Sequence, residues 1–271
     1  MKTPIKIFIF LILCATKGNC QIPGKPFGTQ TLSCGNIGIL LKNNFSALHN
    51  PSLLFQKLRP GISICQEVPY LQKDLIATGI SVQTNLKNLP LEASFVQVGN
   101  PYFRQQQLSV ASSKNLGEKL VMGVALHYLV SSQYQIKNLS NLMGSLGMIF
   151  KLNSKWTIAS HVANLTGTRY KTDGLEEIPR LIQIGTSYKL LENLEGLIEI
   201  EKTANLEKVF KLGTRYKINS TIELLGGWNN KPQLYSFGVI YNGSKYALGI
   251  GFQQNQLLGF SPNFEFRWHL N

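Results

Sequence analysis

Four histidines, His49, His127, His161 and His269, are the side chains best suited to metal binding or acid–base chemistry in this chain of 271 residues. None sits in an H-E-x-x-H segment or another metal-ligand spacing. If the segments around them are strands, parity puts His127, His161 and His269 on the polar face. Ser187 shares that face and Ser160 does not. No G-x-S-x-G segment is present to expose a serine nucleophile on a strained turn. The glycines alternate with apolar residues and build no phosphate-binding loop. The reading is therefore non-enzymatic, with no catalytic residue, no metal site and no cofactor.

What remains is chemistry of charge. In "FKLGTRYKINS", residues 210–220, Phe210, Leu212, Tyr216 and Ile218 alternate with Lys211, Gly213, Arg215 and Lys217. The preceding segment places Glu195, Glu199 and Glu201 on its own polar face. A short turn near Asn205 would make the two segments antiparallel neighbours, bringing Glu199 beside Lys211 and Glu195 beside Arg215. Such cross-strand pairs are worth about 0.2–1 kcal/mol each. Near the C-terminus, Glu265 and Arg267 occupy the polar face of another alternating run.

These side chains need strands to hold them, and from Gly61 onward the chain is a series of alternating segments. Tyr246, Leu248, Ile250 and Phe252 oppose Ala247, Gly249, Gly251 and Gln253; Phe264, Phe266 and Trp268 oppose Asn263, Glu265 and Arg267. The pattern predicts about fourteen strands, many about ten residues long, the length a tilted strand needs to cross a bilayer. They fall near 61–68, 74–84, 91–98, 104–113, 119–131, 142–152, 155–164, 180–190, 194–203, 206–218, 219–228, 233–242, 245–254 and 260–270. The segments "LGMIFKLNSKWTIA", "LGTRYKINSTIELL" and "FGVIYNGSKYALGI" share one grammar. A polar-face glycine is followed three residues later by an aromatic, then a turn, then the next strand. That recurrence implies an up-and-down meander of hairpins.

The first twenty residues carry Lys2 and Lys6 ahead of a short apolar run, Ile7 to Leu13, and read as a secretory signal peptide. Cleavage before Gln21 is the expectation; lipidation at Cys14 or Cys20 is the alternative. Removing residues 1–20 removes three lysines and no acid, which takes the net charge from +13 to +10. Export and a basic balance point to anionic lipid and lipopolysaccharide and away from nucleic acid. Cys34 and Cys65, the two cysteines left, could pair in an oxidising compartment or stay as buried thiols.

Alternation fits a membrane barrel or a soluble two-layer sandwich that binds a partner. Long strands, export, and aromatics at strand ends on the apolar face (Tyr128, Phe150, Trp156, Tyr188, Tyr216, Trp228, Tyr241, Tyr246 and Trp268) favour the barrel. The expectation is an all-β, antiparallel, up-and-down transmembrane β-barrel in the outer membrane. Residues 1–20 are the signal, 21–57 an N-terminal segment and 58–271 the barrel. Glu195, Glu199, Glu201, Lys211, Arg215, Lys217, Glu265 and Arg267 would then face the lumen, because a charge on the lipid side costs about 2–4 kcal/mol at mid-depth.

Residues 43–55, "NNFSALHNPSLLF", follow a glycine-rich stretch. They resemble the start of FadL-like outer-membrane barrels, in particular the PorV/PorQ branch of Bacteroidetes, where S-A-L-x-x-N-P-A-x-L precedes about fourteen strands. Ser46, Ala47, Leu48, Asn50, Pro51 and Leu54 match; Ser52 stands in place of Ala, and the spacing is one residue shorter. The resemblance implies that the segment bearing Ser46, Asn50 and Pro51 plugs the lumen. It also implies transport of a hydrophobic solute, or docking of secreted proteins as a component of type IX secretion.

Overall fold

The computed structural model describes residues 24–55, 59–87, 89–135, 138–168, 178–204 and 206–270. The expected signal peptide, Asn205 and the greater part of the loop 165–180 lie outside the described residues.

Fourteen strands form one closed antiparallel sheet. They are β1 (Gly61–Glu67), β2 (Ala77–Leu86), β3 (Leu89–Gly99), β4 (Phe103–Asn115), β5 (Leu120–Gln133), β6 (Leu139–Lys151) and β7 (Trp156–Ala163). β8 (Leu181–Leu191), β9 (Leu194–Thr203), β10 (Lys208–Lys217), β11 (Ile222–Asn230), β12 (Gln233–Asn242), β13 (Tyr246–Asn255) and β14 (Gly259–His269) complete the circuit. Each strand pairs with its neighbours in sequence, and β1 closes the ring on β14 with Gly61 opposite His269 and Glu67 opposite Asn263. Closure leaves no unpaired sheet edge, which a spanning wall requires because lipid cannot satisfy backbone groups.

The period-2 pattern fixes which side chains face out. On β12 and β13, Phe237 stands opposite Phe252 and Val239 opposite Ile250 on the outer face, while Gly238 opposes Gly251 on the inner one. Ile64, Val110, Val124, Ile184, Ile198, Ile250 and Phe264 are all exposed on the outside of the sheet. A wall that is apolar outward and polar inward is the inverse of a soluble sandwich, so the soluble alternative is set aside.

Both chain ends of the barrel, the start of β1 and the end of β14, lie at one rim. The connections at that rim are short: 87–88, 116–119, 152–155, 192–193, 218–221 and 243–245. The opposite rim carries the longer connections 68–76 and 164–180. Outer-membrane barrels place short turns toward the periplasm and longer loops outside. At the short-turn rim, Phe150, Trp156, Tyr188, Tyr216, Tyr241, Tyr246 and Trp268 project outward from strand ends and form a girdle. Trp156 meets Tyr188 edge-on with ring centroids 6.0 Å apart. Tyr128 and Trp228 lie toward the opposite rim.

Candidate functional site

Residues 24–55 fold into two short helices, α1 (Thr29–Ser33) and α2 (Ser46–His49), and a 3-10 turn, Pro51–Phe55. Such an irregular segment satisfies only part of its backbone groups internally, through bonds such as Leu32 N–H to Gly28 O and Asn50 N–H to Ser46 O, and the other buried ones must find partners. The inward side chains of six strands supply them. Thr29 N–H donates to Glu265 Oε2 at 2.7 Å, Gly35 N–H to Ser236 Oγ at 2.7 Å, and Ala47 N–H to Glu92 Oε1 at 3.0 Å. Glu199 Oε2 accepts from the N–H groups of Gly38 and Ile39 at 3.2 and 3.3 Å. Gln253 Nε2 donates to Leu32 O at 2.7 Å, and Lys211 Nζ to Asn36 O at 3.0 Å.

Apolar contacts accompany these bonds. Ile37, Ile39, Leu40, Leu41 and Leu53 share a buried cluster with Val121, Ile149, Ala159 and Leu197 of the wall. A second cluster joins Phe27 and Phe45 to Cys65, Ala77, Val96 and Val98.

The polar-face glycines noticed in the sequence line this contact. A Cβ on Gly227 would sit 2.6 Å from Gly35 Cα; on Gly213, 2.5 Å from Cys34 Sγ; on Gly79, 2.5 Å from Phe27 Cε1. On Gly123 it would sit 2.7 Å from Pro51 O, and on Gly147, 2.9 Å from Pro51 Cδ. The strands at these points give up side chains so that another stretch of backbone can approach them.

The charged residues fall into three groups. Lys211 Nζ donates to Glu199 Oε1 and Glu201 Oε2, both at 2.7 Å, with the lysine and Glu199 side chains almost wholly buried. Gln183 Nε2 donates to the same two carboxylates at 3.0 Å each. The β9–β10 register sets Glu199 opposite Lys211 and Glu195 opposite Arg215, and Arg215 donates to Glu195. Lys217 is exposed at the end of β10. Glu265 and Arg267 meet through Asn44 of the N-terminal segment, whose amide donates to Glu265 and accepts from Arg267.

Ser46, Asn50 and Pro51 are buried, and they shape the turn into the wall. Ser46 Oγ donates to Asn43 O at 2.9 Å. Asn50 Nδ2 donates to Ile39 O at 2.9 Å, and its Oδ1 accepts from Ser52 N–H at 3.1 Å. Sequence reasoning missed Asn43, Asn44, Glu92, Ser236 and Gln253.

The disulfide alternative is corrected: Cys34 and Cys65 are both free and buried. They belong to different clusters, Cys34 packing on β10 beside Gly213 and Cys65 lying within β1 against the Phe27–Phe45 group. Burial pushes the Cys34 thiol up to about 12. Burial also holds His49 down to about 4, against the opposing pull of its contact with Phe27 O at 2.8 Å. His127 lies between Ser109 Oγ at 2.8 Å and Ser145 Oγ at 2.9 Å, and His161 contacts Gln183 at 2.9 Å. Both histidines are only 1% exposed, so no substrate could reach the Ser–His contacts. Among the described residues no group of three or more His, Cys, Asp or Glu could hold a metal ion.

A closed fourteen-strand wall of this shape defines the class: the fold is that of FadL-type outer-membrane barrels. The Ralstonia pickettii toluene transporter TbuX superimposes with a TM-score of 0.74 at 10% identity, covering 93% of this chain and 100% of that one. The CymD monoaromatic hydrocarbon channel gives 0.69 at 11% identity, over 90% of this chain and 97% of its own. A Pseudomonas aeruginosa FadL homologue gives 0.62 at 9% identity, over 89% and 96%. No family model matches the sequence. No curated protein matches it by sequence.

Proposed function

We propose that this chain resides in the outer membrane and passes a hydrophobic solute, with residues 24–55 acting as a plug that denies passage to water and ions. The observation that carries the reading is the combination of a lipid-facing wall with an interior occupied by hydrogen-bonded backbone from the N-terminal segment. A general pore keeps an aqueous channel; the close approach of the N-terminal segment to the inner glycines supports a plug instead. The neighbours named as toluene transporter and monoaromatic hydrocarbon channel support a hydrophobic cargo. Lipid and lipopolysaccharide surround the wall, in keeping with its aromatic girdle and the net basic charge.

Docking in type IX secretion, which the PorV/PorQ resemblance implies, draws on that resemblance alone. Ser46, Asn50 and Pro51 are buried against the wall and cannot themselves form a docking face.

Two measurements test the reading together. Cells bearing the chain in their outer membrane take up radiolabelled toluene faster than cells without it, and the purified protein gives no steady conductance in a planar bilayer. Unchanged uptake with a steady ohmic current would overturn the reading.

A further inference from the structure

Charge is scarce on the outer face of the wall. By the alternation of the strands, Arg104, Lys114, Lys202 and Lys208 are the charged side chains that β1 to β14 direct outward, and all are cations. Lys114 ends β4 at the short-turn rim; the others lie at the rim with the longer connections. Lys202 of β9 and Lys208 of β10 stand directly opposite each other, and both are exposed. Side chains paired in this way have Cβ atoms about 5 Å apart, and like charges so placed repel. Arg180, exposed one residue before β8, shares the outward parity. Its C=O accepts from Ala204 N–H at 2.8 Å, which sets it on the flank of Lys202.

Among the described residues no carboxylate meets the two lysines. Glu201 turns inward to Lys211, and Glu207 is engaged with Lys231. Lys202 Nζ donates to Leu206 O in the β9–β10 connection, which draws its head toward the rim and leaves its charge uncompensated. Directly below the lysines the outer face is apolar: Ile200 opposes Phe210 and Ile198 opposes Leu212, all exposed.

The height of the pair on the wall matches a headgroup layer. Leu194, at the other end of β9, is paired with the girdle residue Tyr216. From Leu194 to Lys202 a strand rising about 3.4 Å per residue at a tilt near 40° climbs about 20 Å along the membrane normal, close to the roughly 25 Å of an outward apolar band. The lysines therefore lie at the second interface, where the lipid phosphates are.

We propose that Lys202 and Lys208, flanked by Arg180, bind a phosphate of lipopolysaccharide, whose acyl chains lie on Ile198, Ile200, Phe210 and Leu212. A phosphate between the two ammonium groups turns their repulsion into two charge-assisted contacts. Free phosphate would leave the apolar residues below untouched, whereas a phosphorylated amphiphile meets both parts of the surface. Outer-membrane barrels direct their longer loops outward, and lipopolysaccharide is the phosphorylated amphiphile of that leaflet. The inference rests on the outer-membrane placement proposed above and is independent of the solute.

Its test uses the full folded chain in neutral detergent, with binding of bisphosphorylated lipid A, dephosphorylated lipid A and phosphatidylglycerol read by native mass spectrometry. Bisphosphorylated lipid A binds at least tenfold more tightly than either of the others. Lys202→Gln/Lys208→Gln lowers that affinity at least tenfold, Lys202→Arg/Lys208→Arg keeps it, and Lys114→Gln, at the opposite rim, leaves it unchanged. Heat-modifiable gel mobility shows that each variant is folded. Equal binding of dephosphorylated lipid A, or undiminished binding in the folded double glutamine variant, overturns the proposal. Equal binding of phosphatidylglycerol overturns it too, by leaving only a general attraction to anionic lipid. Tryptophan quenching in brominated lipid separates the two levels: a chain that does not insert overturns the membrane placement and the site together, while one that inserts and ignores lipid A overturns the site alone.

Discussion

Replacing Gly227 by alanine adds one methyl group at the closest meeting of wall and segment. Gly227 lies on β11 between Gly213 of β10 and Ser236 of β12. The new Cβ would stand 2.6 Å from Gly35 Cα, and the obstructing atoms are backbone, which no rotamer change can move aside. Gly35 and Asn36 both hold positive φ, 64° and 63°, so the segment makes a tight turn there that cannot slide without giving up its conformation. Two responses compete. Residues 32–36 can lift away, losing the bonds of Gly35 to Ser236, of Lys211 to Asn36 O, and of Gln253 to Leu32 O and Asn36 Oδ1. Three neutral bonds at about 1 kcal/mol and one charged bond at about 2 kcal/mol put that near 5 kcal/mol. Alternatively the segment stays and strains, at about 1–3 kcal/mol for an overpacked site. The cheaper response governs, so local opening becomes about 5- to 150-fold more populated. Cys34, adjacent to the clash and fully buried, reports it: alkylation by a maleimide in the folded barrel, read at Cys34 by peptide mapping, should accelerate by that factor. Gly226→Ala is the control, since its methyl faces outward and meets Thr214 Cγ2 at an ordinary 3.4 Å. Wild-type labelling in Gly227→Ala, or equal acceleration in Gly226→Ala, would refute the reasoning.

Other substitutions follow from the same contacts. Lys211→Met strands Glu199 and Glu201 as buried carboxylates without their cation. It should cost about 3–5 kcal/mol in urea unfolding from lipid vesicles, with part of the loss recovered by adding Glu199→Gln. A loss below about 1 kcal/mol would show the pair to be dispensable. Acid should loosen the segment through His49. Its folded value of about 4 lies below the ordinary histidine value of 6.5, so the unfolded state binds the extra proton between these values and stability falls as pH drops from 6.5 to 4. Cys34 labelling at pH 4.5 relative to pH 7, compared at equal thiolate fraction, should rise in wild type and rise less in His49→Gln. Identical ratios in the two proteins would remove His49 from the account.

Strand positions were legible because a wall with one face in lipid imposes an unbroken period of two. β9 and β12 run from Leu194 to Thr203 and from Gln233 to Asn242, the spans the alternation marked. β2 begins at Ala77 and not near 74, because Lys73–Leu75 forms a 3-10 turn whose composition carries no turn signal. β11 begins at Ile222, later than the alternation suggested, because Asn219 Oδ1 accepts from Thr221 and Ile222 N–H and holds the turn. Neighbours across one short turn, such as Glu199 and Lys211, could be paired from parity alone. Asn44 with Arg267, 223 residues apart, or Gln253 with Leu32, 221 apart, could not. One partner in each case lies in a segment without periodicity, so no register relates it to the wall. The inner glycines were visible as a pattern, but a sequence does not show what fills the space a missing side chain leaves.

The three tryptophans of the chain, Trp156, Trp228 and Trp268, all lie on the outer face toward the strand ends and test the placement of that face directly. In vesicles of brominated lipid, their fluorescence should be quenched strongly by bromines near the headgroups, less by bromines deep in the acyl chains, and little by iodide in the water. Strong iodide quenching with no response to brominated lipid would mean that the apolar face does not meet the bilayer.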